Sequence, residues 1–458
     1  MPIDSRHPDY ASTVSVWRKI RTVVSGEEAV KRADDYLPRP TQMTDSDYNL
    51  YRKRAKFYSA AERTLTAFVG FVQRKEPSII IDDDQIAYLI SDIDGRGTSL
   101  DEFAGRILTE VIMMGRAGIS VDVVDGRIVL ESHRAESITN WHCDANGSPN
   151  LVVISDAEAV PNPDDPYVLD TRQVYRSWRE TDIGVVYQKF VESARGQYVE
   201  TAAAELSGPS APVTSVPVVI VGTSGVRSDV DRSTLLPIVN LSLHHYMLSA
   251  DRNWGLHFVA LPTPYIVGVS PEQAPSAIGP TSMWAIPNEN ARVGMLEFTG
   301  AGLREISSEM EDDKREIADM GARILESRAR SAESAATVSM KGHSDSANLN
   351  TICASVSDAV TRALRIGAEW VGRPNVSEIG FALNRDFLPT KIDPQELTAL
   401  VQAWLGGALS DHELFSALQE GEIIDPNKTF DAHADEIGQT QSARGGVMVR
   451  TNAGTDLG

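Results

Sequence analysis

Cysteine is almost missing: Cys143 and Cys353 are the only two in 458 residues. Two cysteines cannot build a disulfide framework, and neither sits in a metal-spaced cluster. Long apolar runs are missing as well, and none approaches the ~18 residues that would span a bilayer as a helix. The opening MPIDSRHPDY has neither the basic region nor the apolar core of a signal peptide. A protein of the reducing cytoplasm with no membrane segment is the expectation. Basic charge is short, with 43 Lys and Arg against 64 Asp and Glu and a formal net charge of −21. That balance argues against simple electrostatic affinity for nucleic acid or anionic membrane. The shortage is uneven, since residues 1–75 hold 14 basic against 9 acidic residues and leave about −26 to the remainder. What is plentiful is ordinary: 42% hydrophobic and 23% charged residues make a globular chain, long enough for two to four domains.

Catalytic signatures are also lacking. There is no G-x-x-x-x-G-K-[ST] phosphate loop, no G-x-S-x-G and no H-E-x-x-H. His244 and His245 are adjacent, so on a helix they point about 100° apart and make a poor ligand pair, better suited to a surface or interface. The run Trp141-His142-Cys143-Asp144 has metal-capable types, but contiguous residues seldom converge on one ion. Asp92-Ile-Asp94-Gly95-Arg96-Gly97-Thr98 is like the start of a calcium loop, which requires oxygen ligands at alternate positions and a bidentate Glu at the twelfth. Here the fifth position is Arg96 and the twelfth is Phe103. A turn running into a helix capped by Ser99 and Glu102 is the better reading. No cofactor and no metal are expected. Arg52, Lys53, Arg54 and Lys56 form a basic cluster, either a solvated helix face or a contact for nucleic acid or another acidic surface.

Periodicity divides the chain. Residues 10–75 read mostly as helix, with no proline from Tyr48 to Gln73, and Ser78–Ile81 as a short strand. A helix is predicted over 99–115 through Leu100, Phe103, Ile107, Val111 and Met114. GISVDVV and RIVLES flank Asp125-Gly126, which predicts a hairpin. Further strands are expected at Leu151–Ile154, Arg172–Trp178, Val185–Phe190 and Val216–Val221, giving a mostly antiparallel β region over 118–222. Two long amphipathic helices follow. One runs over 235–254 through Leu235, Val239, Leu243, Tyr246, Ala250 and Trp254, the other over 303–324 through Leu303, Ile306, Met310, Ile317, Met320 and Ile324. The Pro- and Gly-punctuated stretch 257–302 between them reads as a small α+β insertion. A polar segment after Arg328 leads to a helix through Leu349, Ile352, Val356, Val360 and Leu364 to Trp370. Asp393-Pro394 and the capping box Ser410–Glu413 open short helices at 394–405 and 411–420. The chain beyond Asp425 turns polar and Gly-rich, and its last ~15 residues are expected to be disordered.

Several passages, taken in order, resemble the tailed-phage portal proteins typified by a domain of formerly unknown function in podovirus-like phages and prophages. They are Tyr36-Leu-Pro38, Tyr51-Arg-Lys-Arg-Ala55, Ala61-Glu-Arg-Thr64 and Gly70 to Pro77, then Asp94-Gly95, Ser99-Leu100, Phe103, Gly115-Arg116-Ala-Gly118 and Val121-Asp122. Next come Ile138-Thr-Asn-Trp141, Leu236 to Leu241, His245-Tyr246, Ser249-Ala-Asp251 and Ile278-Gly279-Pro280. Ala318 to Arg323 and Asn384-Arg-Asp-Phe387 complete the set, which covers most of residues 20–425. The chain departs from the family after Val121-Asp122, where a hairpin stands in place of a proline-containing loop.

The resemblance implies an α+β portal fold: a ring, usually of twelve subunits, at one capsid vertex, through which the genome is packaged and later ejected. It implies residues 1–232 as the wing (a helical N-terminal part and an antiparallel β region), 233–256 as the first stem helix and 257–302 as the clip. It further implies 303–327 as the second stem helix, 328–348 as the channel loop, 349–389 as a helix and strand returning to the wing, 390–425 as the crown and 426–458 as a flexible tail. Arg328, Arg330, Lys341 and His343 would face DNA in the channel, while Trp284, Asn288 and Glu289 would dock the motor or adaptor. The implied partners are other copies of the chain, the major capsid protein, the terminase ATPase, the head–tail adaptor or tail proteins, and double-stranded DNA passing without sequence-specific binding, with no membrane. The implied location is the virion, with the host cytoplasm during assembly. The implied role is not enzymatic. A head–tail adaptor or minor capsid protein is the alternative of the same class, and a soluble hydrolase with unrecognised site residues the alternative of another.

Overall fold

The computed structural model describes residues 2–162, 165, 167–193, 196–207, 213–260, 263–270, 290–296, 300–322, 335–387, 394–405, 408–420, 424, 428–434 and 436. It divides into two compact units, Met1–Arg385 and Asp386–Gly458.

The first unit opens with four helices, α1 (Pro8–Val24), α2 (Glu27–Arg32), α3 (Asp45–Arg54) and α4 (Ala60–Val72). Proline at its first turn and the His7 imidazole accepting from the Asp9 amide start α1. Its buried face, Tyr10, Val14, Trp17, Ile20 and Val23, is spaced 4, 3, 3 and 3. The single helix that the proline-free stretch 48–73 predicts is instead two. At the break, Ser249 both donates to the Lys56 carbonyl and accepts from its amide, a tertiary pair that replaces helical bonds. Strand β1 (Ser78–Ile80) then leads to α5 (Leu100–Met114). Ser99 caps α5 by accepting from the Glu102 amide, and Gly115 ends it at φ 80°. A side chain there would meet the Asp231 carbonyl oxygen at 2.5 Å, so glycine is required twice over.

Strands β2 (Arg116–Val124) and β3 (Arg127–Arg134) form the predicted hairpin, with Asp125 and Gly126 at φ 51° and 78° as a two-residue turn demands. A five-stranded antiparallel meander follows in the order β4 (Ile138–Cys143), β5 (Pro149–Pro161), β6 (Leu169–Thr181), β7 (Gly184–Glu192) and β8 (Tyr198–Glu205). Next, β9 (Val218–Gly222) pairs with β2, closing a three-stranded sheet in the order β3, β2, β9. Beyond it come α6 (Leu236–Val259), the antiparallel pair β10 (Thr263–Val267) and β11 (Arg292–Leu296), and α7 (Ala301–Ile317), which continues as a π-helical turn over Ala318–Ala322. A 36-residue helix, α8 (Ala335–Trp370), and β12 (Gly380–Ala382), paired with β1, complete the unit.

Helices α5 and α8 both pack against the three-stranded sheet, in which β9 is buried throughout and β2 from Arg116 to Val121. At Gly367 a Cβ would lie 2.4 Å from Ile128 on β3, so α8 approaches the sheet at a distance only glycine allows. The polar stretch expected as a loop over 328–348 is helical from Ala335 onward. It contains no proline, and Ala335, Ala336 and Ala347 favour the helix that the apolar face after Leu349 then anchors. The calcium-like turn binds itself: Asp94 accepts from the Arg96 and Thr98 amides and the Thr98 hydroxyl, and Asp92 accepts from the Gly97 amide.

The second unit holds α9 (Pro394–Leu405) and α10 (Asp411–Glu420), the latter started by the reciprocal Ser410–Glu413 capping box. Residues 430–434, expected in a flexible tail, are helical, and Phe430 lies edge-on to Phe415 with centroids 5.5 Å apart. Aromatic packing holds this part of the tail against α10.

Candidate functional site

Helices α6 and α7, joined through a stretch that includes the β10–β11 hairpin, are the feature most remote from an ordinary globular core. Helix α6 is buried through Ile238, Val239, Leu243, Tyr246 and Ala250, whereas among its described side chains none after Ala250 is fully buried. The antiparallel seam between α6 and α7 is part apolar and part polar. Asp313 is buried and receives His244 Nδ1 at 3.0 Å, and the Arg252 Nε donates to the Ser307 hydroxyl at 2.7 Å. Near the outer end a Cβ on Gly255 would meet Leu303 at 2.6 Å, and Gly300 turns into α7 at φ 64°. Of the two histidines placed at a surface or interface, only His244 is partly exposed. His245 is buried beside Tyr58, neither ring nitrogen has a hydrogen-bond partner among the described residues, and burial lowers its pKa.

The hairpin has little cover. Facing residues across it share a side, so Tyr265 and Val267 lie on one face and Val293 and Met295 on the other, and all four are about half exposed. The solvent face of α7 is charged: Glu305, Glu309, Asp312 and Glu316, spaced 4, 3 and 4, are exposed along one line. Apolar periodicity alone does not reveal this stripe, although its spacing is legible in the sequence. On another side of α6 the Tyr51 hydroxyl donates to Asp251 at 2.6 Å, which with burial pushes the phenol well above its ordinary range. Beside it the Asn253 amide donates to the Arg54 carbonyl, and Lys53 and Lys56 of the basic cluster are exposed.

Of the sequence-derived site residues, Lys341 and His343 fall on the first half of α8. Arg328, Arg330, Trp284, Asn288 and Glu289 lie outside the described residues. A cleft of ≈ 680 Å³ lies on the five-stranded sheet under residues 2–5 and is lined by Asn140, His142, Ser177, Arg179, Gln188 and Tyr198. Among the described residues no group of three or more His, Cys, Asp or Glu could hold a metal ion, and no helix is long and apolar enough to cross a membrane.

Residues 234–371, from the start of α6 to the end of α8, match the model of a family described as a domain of unknown function (DUF4055). No curated protein matches. Solved structures do: a chain of the virion of a native gene transfer agent particle is 13% identical, over 86% of this chain and 96% of that one, at a TM-score of 0.39. A chain of the neck of an empty gene transfer agent particle is 12% identical, over 85% and 96%, also at 0.39.

Proposed function

We propose that this chain is the subunit of a phage-type portal, a ring at one capsid vertex through which DNA is packaged and later ejected. The observation that carries the reading is the run from α6 through the β10–β11 hairpin and α7 to α8. Two antiparallel helices leave the core, a small insertion caps their far end, and a long helix returns to the sheet. The family match spans this same run and no more, and the resemblance read from the sequence gives these elements the roles of stem, clip and return to the wing. In this reading the role is structural, the packaging ATPase is a separate protein, and Trp284, Asn288 and Glu289 lie where it or the adaptor docks.

The charge accords with a conduit. Twelve copies would carry roughly −250, a field that repels phosphate. A protein that held DNA through many Lys and Arg contacts would turn each into a barrier to sliding. Arg328, Arg330, Lys341 and His343 are the few basic positions that would touch the passing duplex. The decisive measurement is the mass of the purified protein. Native mass spectrometry is expected to give closed rings near ~600 kDa, because repeated heterologous contacts must either close or grow into filaments. Monomers at every concentration would sink the reading.

A further inference from the structure

The solvent face of α7 and the basic surface beside α3 flank the same helix. On α6 the residues that meet α7 are His244, Arg252 and Gly255, whereas Ser249 and Asn253 bond the backbone of Lys56 and Arg54. At ~100° per residue the second set points more than ~100° away from the centre of the first. Helix α6 therefore stands between α7 and the α3 end, and among the described residues the outer surface of each is uncovered.

These two outer surfaces carry opposite charge. Glu305, Glu309, Asp312 and Glu316 form a sector roughly 60° wide on α7, facing away from the apolar residues that meet α6. Arg304 and Arg315 lie about 90° to one side of that sector, and Arg315 pairs with Asp312 at 2.7 Å. On the other flank Lys53 and Lys56 are exposed, and Arg52 is bonded to Asp34. The levels also agree. His244 faces Asp313 and Arg252 faces Ser307, so Ser249, which holds Lys56, stands level with Glu309.

We infer that neighbouring copies meet head to tail, the acidic stripe Glu305–Glu309–Asp312–Glu316 of one against the Lys53–Lys56 surface of the next. The inference rests on the ring reading above and names the interface that closes the ring. The occupant is a second copy, because one chain presents both complementary surfaces, at one height and on different sides. That arrangement propagates in one direction rather than pairing off into dimers.

Charge reversal in the full-length protein tests it. Glu305→Lys/Glu309→Lys puts lysines on the half of the stripe level with Lys56 and cancels the stripe's net charge, so that copy has no acidic flank. Lys53→Glu/Lys56→Glu leaves a copy acidic on both flanks. Each variant alone is expected to need at least about tenfold more protein for half-assembly than the wild type. Mixed one to one, they should recover assembly with strictly alternating copies and therefore even-numbered rings by native mass spectrometry. The inference is overturned if either variant alone assembles like the wild type, as it would if the stripe lined the channel and faced DNA. Failure of two folded variants, checked by circular dichroism, to recover on mixing also overturns it. Should a variant not fold, salt decides: wild-type assembly should weaken markedly between about 0.05 and 0.5 M salt, and constancy refutes the electrostatic contact. A wild type that stays monomeric overturns the ring reading itself, which separates the two failures.

Discussion

Two buried titratable side chains account for much of the individuality of the β region, and each has a measurable consequence. The Arg116 guanidinium carbon sits 3.7 Å from the Trp141 ring centroid, and the His7 ring stacks on the same indole at 3.9 Å. Two groups that close to one centroid must occupy opposite faces. Arg116 has no exposed surface, and none of its three guanidinium nitrogens has a hydrogen-bond partner among the described residues. Burial lowers its pKa. A desolvated cation–π contact contributes roughly 2 kcal/mol, whereas an unpartnered buried charge costs several. Arg116→Met should therefore be neutral or stabilising, by up to about 2 kcal/mol in thermal unfolding, and a clear loss of stability would mean that the charge has a stabilising partner. His133 is the second case. Its Nε2 lies 2.8 Å from the Ser120 hydroxyl, and burial pushes its pKa down despite Glu131 and Asp156 nearby, with Arg176 adding to the depression. The folded protein then resists protonation while the unfolded chain accepts a proton near the ordinary 6.5. Stability from this group is complete above that value and falls as pH drops below it, by at most about 1.4 kcal/mol per pH unit. Urea titrations from pH 7 to 5 should show this slope in the wild type and less of it in His133→Gln; parallel slopes would refute the assignment.

At the scale of elements, the sequence is legible wherever one face is apolar and a turn residue has a single geometry. Asp125-Gly126 gives the β2–β3 hairpin in register, from Val124 opposite Arg127 to Ala117 opposite Arg134. The stripes of α5, α6 and α7 give their positions within about five residues. That of α8 gives its end at Trp370 but not its start at Ala335, because the polar turns before Leu349 carry no apolar face. Other strands escape for stated reasons. The β5–β6 ladder continues past the apolar runs to Pro161 opposite Leu169, but Asp156, Glu158, Asp170 and Arg172 interrupt its alternation. In β8 the alanines 202–204 carry little strand preference, and pairing with β7 decides the matter. The break between α3 and α4 depends on Ser249, almost two hundred positions away, so no local pattern could supply it. The candidate site is half legible in the same sense. Apolar spacing marks the paired helices, while the acidic stripe and the basic flank acquire meaning only when α6 is seen to separate them.

For the whole molecule, the first compact unit is closed by its own last residues. Strand β12 pairs with β1 some three hundred positions earlier. The Thr361 hydroxyl bonds both the amide and the carbonyl of Phe381, the Ser357 hydroxyl accepts from the Leu383 amide, and Arg365 donates to the Ile379 and Ser377 carbonyls. Ile379, Phe381 and Leu383 are buried. A chain ended after Arg385 retains all of these contacts and should unfold cooperatively. A chain ended after Asn375 loses three buried apolar side chains, each contributing about 1.5–3 kcal/mol, and uncovers the face of α8 against which they packed. Its unfolding midpoint should fall by at least about 5 °C relative to the longer fragment, since at ~2.1 cal/mol/K of unfolding entropy per residue a unit of this length shifts by roughly 1.2 °C per kcal/mol. Differential scanning calorimetry of the two fragments measures the difference directly. Equal midpoints would mean that β12 only decorates the unit, and failure of the longer fragment to unfold cooperatively would mean that the boundary at Arg385 does not bound a folding unit.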